Sequence, residues 1–113
     1  MLNQLHLAML ELYKGDAKRI QHFCKVHSYA KLIAECEKVD KETLFILEAA
    51  ALTHDIGIHL CEEKYGDCSG KLQEKEGPAI AARLLGELKF EKQVSERVQY
   101  CLLYTSDAAD EAR

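Results

Sequence analysis

Leu44-Phe45-Ile46-Leu47-Glu48-Ala49-Ala50-Ala51-Leu52-Thr53-His54-Asp55-Ile56-Gly57 is the stretch on which the reading of this chain turns. Its apolar residues occur all round a helical wheel, which predicts a helix buried on every side. The helix begins at Asp40, with Val39 and Leu44 spaced as a hydrophobic staple across its first turn. At its far end stand two metal-binding side chains, His54 and Asp55. An imidazole and a carboxylate adjacent in sequence reach one divalent ion only where the backbone turns, and Gly57 is read as supplying that turn. The chemistry suggested is metal-assisted hydrolysis. A lone His-Asp pair at a helix end also serves as a cap or a solvent-facing pair, so its weight depends on what the rest of the chain offers.

Upstream, helical periodicity is equally plain. Leu2, Leu5, Met9, Leu10 and Leu12-Tyr13 predict a first amphipathic helix, which Gly15 ends before Asp16 caps a second helix running to about Cys36. Downstream, Gly66-Asp67-Cys68-Ser69-Gly70-Lys71 marks a loop, and Pro78 is read as the first residue of a new helix with Ile80, Leu84, Leu85 and Leu88 facing the core. A last helix starts near Glu91 and carries Val94 and Val98 inward. With a single proline and no long alternating run, the chain is read as all-α, a helical bundle.

The second helix holds Arg19-Ile20-Gln21-His22-Phe23-Cys24-Lys25-Val26-His27-Ser28-Tyr29-Ala30, and Ala49 to Gly57 follows after about one helix. Together these segments resemble the HD-domain superfamily of metal-dependent phosphohydrolases, in the His-Asp-Ile-Gly form. The family places an apolar residue four positions after its first His and a small one eight after, as Val26 and Ala30 follow His22. The resemblance spans about Asp16 to Tyr100. It implies an HD-type bundle with one divalent ion (Mn, Fe, Co, Ni or Mg) on His22, His54 and Asp55. It further implies His54 and Asp55 at the reacting centre and a small phosphorylated substrate hydrolysed by a metal-activated water. Periodicity puts His27 nearer the centre of the apolar stripe than His22, whereas the family register selects His22. The family's richer two-metal forms carry another His shortly before a helix-opening Gly. Here Gln73 and Glu76 precede Gly77, so one metal is expected. A non-catalytic HD-fold binding or regulatory module, or an inactive fragment, is the competing expectation.

The family closes its ligand set with an Asp from a late helix. Residues 101-111, Cys-Leu-Leu-Tyr-Thr-Ser-Asp-Ala-Ala-Asp-Glu, resemble the translation of a transposase sequencing adapter found at the ends of assembled metagenomic reading frames. The expectation is therefore an HD domain over 1-100 that lacks its last helices, followed by a non-native tail over 101-113. Asp107 and Asp110 imitate the closing ligand but are read as part of a frayed acidic terminus.

At 113 residues, 48% hydrophobic and 30% charged, the chain fits one cytoplasmic domain. No uninterrupted apolar run approaches the roughly 18 residues of a bilayer span, and Met1-Leu2-Asn3-Gln4 lacks a basic secretory start. Net charge is −4, to which the tail gives −2 (one Arg against two Asp and one Glu), a balance that leaves no nucleic-acid footprint. Five cysteines, an odd number without a Cys-x-x-Cys pair, read as reduced thiols. Cys61 and Cys68 with His59 form only a loose metal spacing. His59 lies one turn past the pair and is a weaker candidate for phosphate or a second ion. Lys64 and Lys71 are candidates to neutralise phosphate, and Glu76 to act as an assisting carboxylate. The glycine-rich loop is not a P-loop: Leu72 follows Lys71 where Ser or Thr belongs, and no strand precedes it.

Overall fold

Two of the helices start where a carboxylate can take up orphan backbone donors. In the computed structural model, which describes residues 1–66 and 70–111 (side chains excepted at 70, 74 and 103–111), Asp16 accepts from the Arg19 N–H at 3.4 Å. It also takes the Arg19 guanidinium at 3.1 Å, and α2, Ala17–Cys36, follows. Asp40 likewise accepts from the Thr43 N–H at 3.2 Å and from the Thr43 hydroxyl, opening α3, Lys41–Thr53. The Thr43 hydroxyl, then its N–H, hold the Asp40 carboxyl below the ordinary carboxylate range. Before both comes α1, Leu2–Leu12, which ends ahead of Gly15 at φ +92°. After them come α4, Ile58–Tyr65, α5, Gly70–Glu87, and α6, Lys92–Glu111. No strand occurs among the described residues, so the chain is all-α.

The chain divides into two units, Met1–Thr53 and His54–Arg113. In the first, α3 packs on both α1 and α2. Leu5, Met9 and Tyr13 recur every four residues along one stripe of α1 and its C-terminal cap, and all three are buried. Leu12 lies off that stripe and is 47% exposed, so the first amphipathic face is narrower than the sequence suggests. From Phe23 on α2 a ring contact reaches Tyr13, with centroids 5.4 Å apart. Helix α3 is buried from Glu48 through Thr53, as its all-round apolar pattern requires. Past α2, Lys38 takes the left-handed conformation at φ +58° while Val39 N–H returns to the Ala34 carbonyl, a Schellman-type ending without its usual glycine.

In the second unit α5 packs against both α4 and α6. Helix α5 corrects the expected boundary at Pro78: it starts at Gly70 and runs through the proline. Six residues with mostly strong helix propensity, Lys71 to Glu76, lead into Gly77-Pro78, and the Pro costs one intrahelical hydrogen bond without stopping the helix. Buried Gly77, Ala81 and Leu85 form its inner stripe, with Ile80, Leu84 and Leu88 half-buried beside it. On α6 the inward residues are Ser95, Val98 and Leu102, with Val94 half-buried. The helix continues through the segment read as a tail. Its side chains from 103 on, Asp107 and Asp110 among them, lie outside the described residues, as does Cys68.

One expectation about membranes also needs correction. Lys41–Tyr65 is long and apolar enough, by length and composition, to cross a bilayer, although 50% of its apolar window is buried. A run count misses this because Glu48, Thr53, His54 and Asp55 interrupt the block while the Leu, Ile, Phe and Ala around them keep the average high. The core helix of a globular protein passes the same test, and here the stretch is split at residues 54–57 between α3 and α4.

Gly57 explains why that split is possible. Its φ of −86° is open to any residue, so conformational freedom is not what the position needs. A Cβ there would stand 3.3 Å from the Gly77 Cα and 3.3 Å from the Gly77 N, against helix backbone that has little room to retreat. A Cβ on Gly77 would meet nothing within 4 Å. Gly57→Ala is therefore expected to destabilise by about 1–2 kcal/mol through overpacking. Gly77→Ala should cost less than that, because its Cβ meets no other element and only the local strain of a helical residue before proline offsets its better helix propensity. Urea midpoints at unchanged slope measure both, and equal effects would refute the asymmetry.

Candidate metal centre

Local hydrogen bonding shapes the turn that carries His54 and Asp55. The Thr53 hydroxyl, fully buried, donates to the Ala49 carbonyl at 2.8 Å, which satisfies it within the last turn of α3. Past it, the Asp55 carbonyl accepts the Ile58 N–H at 3.0 Å and the Gly57 carbonyl accepts the Cys61 N–H at 2.9 Å, so α4 starts at once. Buried Ile56 anchors the turn, and His54 and Asp55 before it are half-buried. Within it His54 Nε2 lies 3.1 Å from Asp55 Oδ2, with side chains 16% and 25% exposed. A nitrogen and an oxygen donor, adjacent in sequence, thus converge on one point of the surface.

The remaining candidates fall into different surroundings. His22 is exposed on α2 in the first unit, whereas His27 is half-buried, its Nε2 2.9 Å from Glu48 Oε1 on α3. His27 is thus committed to a buried carboxylate, which separates the two histidines that periodicity and register left in competition. In the second unit, His59 is half-buried on α4 and Lys71 is exposed on α5. Cys61 is fully buried, and like Cys24, Cys36 and Cys101 it forms no disulfide among the described residues.

Lys64 and Glu76, read separately in the sequence, belong to one cluster. Glu76 Oε1 accepts from the Tyr65 hydroxyl at 2.8 Å and from the Lys64 ammonium at 3.2 Å. Lys64 and Lys75 stand over the Tyr65 ring at 5.2 and 5.7 Å from its centroid. These contacts, the Tyr65 hydroxyl first and Lys64 next, hold the Glu76 carboxyl below its ordinary range. Lys64 is correspondingly raised, first by its tyrosine and glutamate hydrogen bonds. Glu76 therefore sits inside α5 and ties it to the end of α4, and is not the helix-opening acid expected from Pro78. Lys64 spends its charge on that carboxylate, which leaves less of it for a phosphate.

Sequence reasoning passed over Glu48 and His6. Glu48 had a readable signal, as the one acid within the apolar run Leu44 to Leu52. His6 had none beyond its place next to the α1 stripe. Comparison of the chain with protein-family models, with curated proteins and with solved structures finds no match.

The Glu76 cluster makes a direct forecast. Tyr65→Phe removes the largest cause of its shift, so the Glu76 carboxyl should titrate at higher pH than in the parent, moving towards the ordinary glutamate value. Carbon-13 NMR titration of the side-chain carboxyl measures it, and an unmoved titration would show that the hydroxyl is not the cause.

Proposed function

We propose that this chain is a metal-dependent phosphohydrolase of HD type, with one divalent ion held by His22, His54 and Asp55. The observation that carries the reading is the His54–Asp55 pair, whose ligand-capable atoms face each other at 3.1 Å in a half-exposed turn. His22, which the family register adds, would bring a second imidazole nitrogen to that nitrogen and oxygen pair. Mixed nitrogen and oxygen donors suit Mn, Fe, Co, Ni or Mg better than a thiolate-selected zinc. Such an ion, when bound, supplies a Lewis acid for a phosphate oxygen and a lowered pKa for water. The His-Asp-Ile-Gly sequence and the His22, Val26, Ala30 spacing support the same family reading.

The roles of the chain's own residues follow from their chemistry. His54 would turn Nε2 from its contact with Asp55 to the ion, as a neutral nitrogen ligand. Asp55 keeps two carboxylate oxygens, one to ligate and one to orient the attacking water. Three protein donors leave positions open for water and substrate, as hydrolytic centres require. The substrate fitting this donor set is a small phosphate ester.

His54→Ala and Asp55→Asn should each remove metal-dependent hydrolysis of an aryl phosphate, by more than the roughly 10–100-fold that losing a ligand-orienting partner costs. His22→Ala should do the same. Metal binding supplies the second readout: Mn²⁺ at 100 times its Kd stabilises a binding-competent fold by about 2.7 kcal/mol, reversed by EDTA. The three variants should lose that increment while keeping their metal-free melting temperature. Binding without turnover would favour a regulatory module, and no binding by the folded parent would overturn the proposal.

A further inference from the structure

Outside the metal-centre candidates, the first unit gathers a second set of titratable side chains where α1, α2 and α3 meet. His6 on α1 lies edge-on to His27 on α2, with ring centroids 5.5 Å apart and planes at 74°. It is also edge-on to Phe23 at 6.0 Å, and its Nε2 is 3.4 Å from Cys24 Sγ. His27 in turn meets Glu48 on α3 at 2.9 Å. Around His6, therefore, α2 presents Cys24 and His27, and α3 presents Glu48, which reaches the pair only through His27. Of the two imidazoles, only the His27 ring contacts the carboxylate.

We propose that α1 is an acid-released latch, docked through the His6 contacts with α2 while the His6 ring is uncharged and detached when acid charges it. A proton on His27 is matched by Glu48, while a second on His6 faces a cation with no carboxylate of its own in the cluster. Partial burial then disfavours the charged His6 further. Both causes act in the same direction: burial first and His27 second hold the His6 pKa below the ordinary histidine value. Since the docked state binds the His6 proton less readily than a detached α1 does, docking is fully favoured above the ordinary histidine pKa. It is lost as pH falls through the lowered value. Detachment would uncover the Leu5, Met9 and Tyr13 stripe, so the apolar face of α1 becomes available only in acid.

Segment-resolved hydrogen exchange of the full chain at pH 7.5 and 5.5, corrected for intrinsic rates, tests this. The experiment runs in EDTA and again in His54→Ala, so that proton competition at the metal-centre candidates plays no part. The expected result is a several-fold loss of protection confined to Leu2–Leu12 at pH 5.5, with α2 and α3 unchanged. His6→Phe keeps an edge-on ring but cannot charge, and should hold its protection at both pH values. His6→Gln is the second variant, and His27→Gln should reduce the acid response by removing the like charge. Equal protection of α1 at both pH values in the parent, or the same acid loss in the folded His6 variants, would overturn the latch.

Discussion

The second unit depends on a place where no side chain fits. At Gly57 the turn after α3 comes so close to the backbone of α5 at Gly77 that a single added carbon would sit 3.3 Å from helix atoms. That approach fixes how closely α4 can begin after the turn, and so where His54 and Asp55 stand relative to α5. It also gives a reason for the Gly77-Pro78 pair inside a helix. The glycine supplies the bare backbone opposite Gly57, and the neighbouring hydrogen bonds among Lys64, Tyr65 and Glu76 pin the same part of α5 to the end of α4. Weak helix formers are tolerated there because packing across the two elements compensates for poor local propensity.

The first unit obeys a different constraint, the burial of a charge. Glu48 sits in the middle of the most apolar helix, with its side chain only 10% exposed. A carboxylate removed from water without a partner is costly, and His27 is the partner that α2 delivers. Placing that histidine in the stripe facing α3 commits the packing of the two helices to one register. His6 then packs on His27 from α1, so a single buried acid reaches, through two rings, all three helices of the unit.

Much of this was legible beforehand. Asp16 and Asp40 announced their helices because short acidic side chains before apolar-periodic segments have few other uses. The all-round apolar character of residues 44–52 announced burial, which holds at Ile46 and from Glu48 through Thr53, whereas Leu44 and Phe45 are half-buried and Leu47 is exposed. What escaped were features that depend on a partner distant in sequence. The start of α5 was misplaced because Pro78 looks like a first-turn residue when the contact between Gly77 and Gly57 is unknown. Gly57 was given the right importance for the wrong reason, since positive φ and close approach both select glycine and a sequence alone does not distinguish them. Glu76 was placed at a helix start, and its pairing with Tyr65 and Lys64 joins residues eleven and twelve positions apart.

The competition between His22 and His27 shows how such ambiguities resolve physically. Both lie on α2, five residues apart, and a hydropathy pattern prefers the one nearer the packing face. But the packing face is where a polar ring finds a fixed partner, and His27 has taken Glu48 there. A ligand needs the opposite: a nitrogen that can exchange a weak partner for an ion without leaving a charge stranded in the interior. Moving His27 onto a metal would orphan a buried carboxylate. The more buried histidine is thus a structural residue, whose loss would be felt first in the docking of α1 and α3.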